Sequence, residues 1–241
     1  VLYGGGGDDV LRLEELGRLY GNTGADELEV ATFARDVIAR GGKGDDFVLL
    51  KRGVGVFRGD GGYDTLTLDP SSGQDTTTVD LGARSIVAVG SSGRIEGEIG
   101  GFEQVIGADD GIADRIVGRG NAGERLFGRS GDDVLEGRGR PDELYGGTGN
   151  DRLVGGGGDD LLHGAGGDDV LEGGRGRDTA SYANAVPGGP RAETTADETP
   201  FGSVSVDLAT GRAGGAAGDD RLSGIENVRA SEGADTLVGD A

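Results

Sequence analysis

The sequence predicts an all-β chain, wound as a solenoid of short parallel strands. Three observations predict it. A nine-residue period holds one phase through the middle of the chain, 54 of the 241 residues are glycine, and only 34% are hydrophobic, with no Cys, Met or Trp. That inventory cannot fill a conventional core. A short fixed period instead makes equivalent units that stack and bury their apolar sides against one another.

The period is read by stepping nine residues from Gly128, through Gly137, Gly146, Gly155 and Gly164 to Gly173. Five residues beyond each stand Asp133, Asp142, Asp151, Asp160, Asp169 and Asp178. Two further on come Leu135, Leu144, Leu153, Leu162, Leu171 and Ala180. Low-complexity disorder would not hold one phase through six copies. The unit is G-G-x-G-x-D-x-L-x, clearest in Gly155–His163. Glycines at positions 1, 2 and 4 are expected to permit φ > 0 and to let backbone carbonyls approach an ion. The aspartate at position 6 offers hard carboxylate oxygen, the donor that Ca²⁺ selects. Positions 7 to 9 make a three-residue strand with its middle side chain inward. Val134, Glu143 and Arg152 at position 7, and Glu136, Tyr145 and His163 at position 9, are then expected on a solvent face.

This nonapeptide resembles the repeat of the RTX (repeats-in-toxin, hemolysin-type) family. The resemblance implies a calcium-dependent parallel β-roll in which two nonapeptides complete one turn. Repeats i and i+2 then share an edge, Asp133 with Asp151 and Asp169, and Asp142 with Asp160 and Asp178. It implies metal ligands at these six aspartates and at the loop glycines Gly128, Gly146, Gly155, Gly164 and Gly173, with roughly six to nine ions held by stacked loops. It also implies export by type I secretion machinery, folding outside the cell, and a secreted or cell-surface location. Gly137–Asp142 departs from the pattern with Arg140 at position 4, so its loop is expected to be the weakest of the six.

Further copies carry Asp9, Asp26, Asp46 and Asp64, spaced 17, 20 and 18 residues apart, about two repeats each time. No intervening nonapeptide has a good loop, and Asp36 lacks preceding glycines. The expectation is a roll with calcium along one edge only. Val37, Ile38, Val56 and Phe57 would pack the metal-free edge.

Alternating patterns replace the nonapeptide after Asp64 and again after Asp178. The two segments share marks in order: Val79-Asp80-Leu81 answers Val206-Asp207-Leu208, Gly101–Val105 answers Gly224–Val228, and Asp114–Gly118 answers Asp235–Gly239. The expected organisation is a first roll over 1–70, a spacer over 71–118, a second roll over 119–181 and a second spacer over 182–241, with the spacers continuing the parallel coil. Asn184–Pro200 is expected to be an exposed loop, and Gly239-Asp240-Ala241 the opening of another repeat. Glu124 follows Gly120–Gly123 where an aspartate is wanted, and is expected to be structural. Asp109, Asp110 and Asp114 are expected to form a solvated turn.

With 44 acidic and 23 basic residues the formal charge is −21. Nucleic acid and anionic membrane are poor partners for such a surface, and cations are the natural ones. No apolar run is long enough to span a bilayer. No cysteine is present for disulfides or thiolate metal sites. His163, the only histidine, lacks the partners of a zinc site or catalytic triad. No H-E-x-x-H, G-x-S-x-G or P-loop motif occurs, so no catalysis is expected within this chain. Two further readings stay open at this stage. The chain could be the repeat region of an exoenzyme (protease, lipase or epimerase), or a stiff spacer in an adhesin or surface-layer protein. It opens at Val1 with no initiator methionine or signal peptide, and is expected to be a monomeric piece of something longer.

Overall fold

The computed structural model describes residues 1–69, 77–90, 93–183, 202–215 and 217–239. Among them every regular element is a β-strand, and no helix is long and apolar enough to cross a membrane. The chain opens with β1 (Leu2–Gly6), β2 (Val10–Leu13), β3 (Arg18–Thr23), β4 (Glu27–Lys43), β5 (Phe47–Gly61) and β6 (Thr65–Leu68). β1, β3, and the second halves of β4 and β5 stack in parallel on one face, face II. β2, the first halves of β4 and β5, and β6 stack on the other, face I. The register steps are those of the aspartates: Val10 pairs with Glu27, Glu27 with Phe47, and Phe47 with Thr65.

The regular block contains β10 (Gln104–Ile106), β11 (Asp114–Val117), β12 (Arg125–Ser130), β13 (Val134–Glu136), β14 (Glu143–Thr148), β15 (Arg152–Gly157), β16 (Leu161–Gly166), β17 (Val170–Arg175) and β18 (Thr179–Ser181). Even-numbered strands continue face I and odd-numbered strands face II, with Arg125 over Glu143 over Leu161 and Val134 over Arg152 over Val170. Two nonapeptides therefore make one coil. The position-8 side chains Leu135, Leu144, Leu153, Leu162, Leu171 and Ala180 are fully buried. Each coil thus contributes two aliphatic side chains to one thin, continuous core.

The spacers depart from the expected parallel coil. β7 (Thr77–Asp80), β8 (Ser85–Gly90) and β9 (Gly93–Gly100) form an antiparallel meander inserted into face II. β9 pairs in parallel with β5 behind it, and β7 with β11 ahead. The detour recurs as β19 (Val204–Asp207), β20 (Arg212–Gly215) and β21 (Gly218–Ser223): β21 lies parallel on β17, and β19 on β23 (Thr236–Val238), while β22 (Asn227–Arg229) continues face I. The sequence marks answer one another in space, Val79 pairing with Ile116 and Val206 with Leu237. Alternation announces a strand without giving its direction, which is why the meander could not be read from the pattern. Residues 184–200 and Asp240-Ala241 lie outside the described residues.

Candidate metal centre

Each turn from face II to face I ends in an acid, and these acids form one column. From the N-terminal end they are Asp9, Asp26, Asp46, Asp64, Glu103, Glu124, Asp142, Asp160, Asp178 and Glu226. Except at Glu103, whose backbone N–H donates to Asp64 O at 3.0 Å, the backbone N–H of each donates to a carboxylate oxygen of the next. Asp9, Asp26 and Asp46 donate to Oδ1 of Asp26, Asp46 and Asp64 at 2.8–2.9 Å, and Asp64 to Glu103 Oε2 at 3.0 Å. Glu124 donates to Asp142, Asp142 to Asp160, Asp160 to Asp178 and Asp178 to Glu226 at 2.7–2.9 Å. The opposite edge has a second column, Asp114 to Asp133 to Asp151 to Asp169 to Asp220, joined by the same bond at 2.7–3.0 Å.

This bond uses one carboxylate oxygen and fixes where the other points. Oδ2 of Asp9, Asp26, Asp46, Asp64, Asp133, Asp142, Asp160, Asp169 and Asp178 is buried without a hydrogen-bond partner. In the repeats it is aimed at the glycine five residues earlier. A Cβ built on Gly155 would stand 2.8 Å from the carbonyl oxygen of Gly173, one coil on, and closer still to Asp160 Oδ2. Gly128 meets Gly146 O at 2.7 Å and Asp133 Oδ2 in the same way, and Gly146 and Gly164 press on the carboxylates of Asp151 and Asp169. One loop's carboxylate and the next coil's carbonyl thus converge on the same small space. A buried, unsatisfied carboxylate oxygen is costly, and a column of them calls for cations.

The donors present fit Ca²⁺. Among the described residues no three His, Cys, Asp or Glu side chains are grouped to hold a metal. A site here would take one carboxylate per loop and complete its shell with carbonyls. That all-oxygen set suits Ca²⁺ and lacks the nitrogen and sulfur that favour Zn²⁺ or Cu²⁺. Electrostatics agree. Burial, with like charges adding to it, pushes Asp46 and Asp160 up to about 6, Asp64, Asp133 and Asp142 up to about 7, and Asp169 up to about 8. The ladder N–H bonds oppose that rise without overcoming it.

The face II to face I column has one rung that supplies its own cation. Between Glu103 and Glu124, Arg119 Nη2 lies 3.0 Å from Glu103 Oε1, and Nε lies 2.8 Å from Glu124 Oε1. The Glu124 side chain is fully buried. Truncating Arg119 leaves an uncompensated buried charge. Arg119→Ala is expected to cost the calcium-loaded fold about 3 kcal/mol in thermal unfolding. Arg152→Ala, which loses only an exposed pair with Glu172, is expected to cost under about 1 kcal/mol.

Four sequence expectations are corrected or extended. The position-1 glycines do not have positive φ; only positions 2 and 4 do, and position 2 holds it even as Arg129, Arg138 and Ala165. Position 1 needs glycine because a Cβ would collide with the carboxylate. His163 and Tyr145 are outward but buried: the rings of Phe127, Tyr145 and His163 succeed one another at 4.7 and 6.0 Å, beside Ile106, and burial lowers the His163 pKa to about 4. At the irregular loop Arg140 keeps the left-handed backbone at φ 83°, and it is Arg138 that reaches Gly118 O at 3.1 Å and Asp80 Oδ2 at 3.2 Å. Position 5, given no role by the sequence reading, forms an outer ladder running the opposite way. Asp132 Oδ1 accepts from Asn150 N–H and Asn150 Oδ1 from Asp168 N–H, both at 2.8 Å. The frequent Asp or Asn there was the available signal.

In the first block Asp9, Asp26, Asp46 and Asp64 share the one edge, while the opposite corner of β4 is a bulged strand with Asp36 exposed at φ 64°. Val37 and Phe57 are buried in the core, and Ile38 and Val56 are half-buried.

A family model for the RTX calcium-binding nonapeptide repeat matches in four copies, at residues 1–15, 119–139, 145–180 and 222–241. No curated protein matches the chain.

Proposed function

The chain belongs to the RTX calcium-binding repeat family, and on that premise we propose that it is a module that folds as Ca²⁺ binds between its coils. One observation carries the reading: the stacked carboxylates, nine of whose aspartates keep a buried oxygen without a hydrogen-bond partner. Without ions those carboxylates repel and the glycine-rich chain gives up much conformational entropy on folding. With ions, successive coils are cross-linked, and binding free energy becomes folding free energy because the unfolded chain has no site. Extracellular calcium modules work at about 10⁻⁴–10⁻³ M. Cytosolic calcium would leave this chain unfolded, fit for export through type I machinery, and calcium outside the cell would fold it.

Circular dichroism during calcium titration tests the reading. A cooperative gain of β-signal with Ca²⁺ and none with Mg²⁺ is expected; a chain equally folded after exhaustive chelation rejects it. The proposed ligands are Asp9, Asp26, Asp46, Asp64, Asp133, Asp142, Asp151, Asp160, Asp169 and Asp178, with the Asp142 loop the weakest. In the first block the ions sit on one edge. Asp46→Asn is therefore expected to weaken calcium binding by calorimetry and Asp36→Asn, at an exposed left-handed position that Asn tolerates, to leave it unchanged. Equal losses would reject the one-edge arrangement.

A further inference from the structure

We infer that Glu124, off the repeat pattern, holds an additional Ca²⁺ in the gap between its own loop and that of Gly137. This rests on reading the acid columns as calcium sites. The loop from Gly118 to Glu124 spans six steps where a repeat spans five, and it ends in the longer acid. Its ends are nevertheless set as a repeat sets them. Gly118 N–H donates to Glu136 O at 2.7 Å, as Gly137 N–H donates to Val154 O at 2.9 Å one coil on. Glu124 N–H donates to Asp142 Oδ1 at 2.7 Å, the ladder bond of its column. A Cβ on Gly118 would lie 2.6 Å from Gly137 O and 2.9 Å from Glu124 Oε2. A carbonyl of the next coil and the second carboxylate oxygen are the same two groups that exclude a side chain at position 1 of the repeats. The extra residue is absorbed within the loop, where Gly120 takes φ 77°.

The two oxygens of Glu124 meet different surroundings. Oε1 accepts from Arg119 Nε at 2.8 Å, toward the spacer, where the same guanidinium also holds Glu103. On that side the Gly118 carbonyl accepts from Arg138 Nη1 at 3.1 Å. Oε2 faces the gap that the Gly118 and Gly137 loops enclose. It is buried without a hydrogen-bond partner, in a side chain that is itself fully buried. The Arg119 guanidinium is shared between two carboxylates and hydrogen-bonds only Oε1, so Oε2 keeps its desolvation cost. Asp142 stands on the next coil. Burial, with the charge of Glu124 adding to it, raises the Asp142 pKa to about 7. Two carboxyls and the Gly137 carbonyl are thus brought together from adjoining coils. A hard divalent ion bound between them satisfies Oε2 and offsets both charges.

The test counts protein-bound ions on the whole chain, by equilibrium dialysis against saturating radiolabelled CaCl₂. Glu124→Gln, which keeps the length of the side chain and its Oε1 acceptor, is expected to carry one ion fewer than the wild type. Asp160→Asn, the reference rung of the same column, is expected to lose one as well. An unchanged count for Glu124→Gln, beside a reduced count for Asp160→Asn, overturns the proposal, and unchanged counts for both overturn the calcium reading of the column. Anomalous scattering from wild-type crystals grown in calcium decides the matter if a variant fails to fold. A peak between the Gly118 and Gly137 loops supports the proposal, and peaks at the repeat loops with none there overturn it alone. Absence of peaks at every loop would overturn the calcium reading itself.

Discussion

In chelator at pH 7.5 the chain is expected to be expanded and without β-signal, and acidifying the same sample to pH 4.5 is expected to restore a compact β-fold with no metal present. Burial raises eight aspartates, Asp46, Asp64, Asp114, Asp133, Asp142, Asp160, Asp169 and Asp220, to between about 6 and about 8. In the unfolded chain aspartate titrates near 3.9. Between those values the folded state binds more protons, so stability falls as pH rises. It is fully present below about pH 4 and is lost through pH 6–8. His163, lowered to about 4, and the carboxyls of Glu29 and Asp235, lowered by their hydrogen-bond partners, work the other way, but they are fewer than the eight. Protons and calcium thus substitute for each other, and added Ca²⁺ at pH 7.5 should do what acid did. Circular dichroism and small-angle scattering across pH would show it. A chelated chain more structured at pH 7.5 than at pH 4.5 would contradict the account.

Gly155→Ala is expected to lower the melting temperature in saturating calcium by about 5–10 °C and to weaken one ion site, whereas Gly157→Ala, two residues on, is expected to shift it by about 1 °C at most. Neither glycine has positive φ, so backbone strain does not separate them. Space does. The new methyl at 155 would collide with Asp160 Oδ2 and Gly173 O, and at 157 the nearest atom is 3.9 Å away. Overpacking costs about 1–3 kcal/mol, and about 2–4 °C accompanies each kcal/mol in a chain of this size. Displacing the carboxylate adds the loss at its ion site. Calorimetric melting with calcium titration compares the two, and equal effects would remove the steric explanation of position 1.

Much of this was legible because the period is strict. Leu135 to Leu171 sit where the position-8 rule puts them, and the pairing of Asp133 with Asp151 follows from two repeats per coil. What lay hidden depended on contacts across coils. The sequence shows that Tyr145 and His163 point outward, but not that an outward row can itself be buried. The pattern marks Thr77–Asp80 and Ser85–Gly90 as strands, but alternation is the same in either direction. Asp114 was lost among neighbouring acids because two extra residues broke the phase, although the backbone restores it. Arg119 carries no signal in the sequence, because Glu103 and Glu124, 21 positions apart, flank it only once the coils are stacked.

The ladders also set how the molecule would yield to force. Each coil is tied to its neighbours by strand pairing and by carboxylate bonds repeated at an 18-residue step through the regular block. A load applied at the two termini would peel coils off in turn, each releasing roughly 60 Å of extended chain. The meanders break that uniformity, because 39 residues separate Asp64 from Glu103 and 48 separate Asp178 from Glu226. An extension trace would carry a run of equal teeth interrupted by two long ones, a mechanical signature of where the spacers lie.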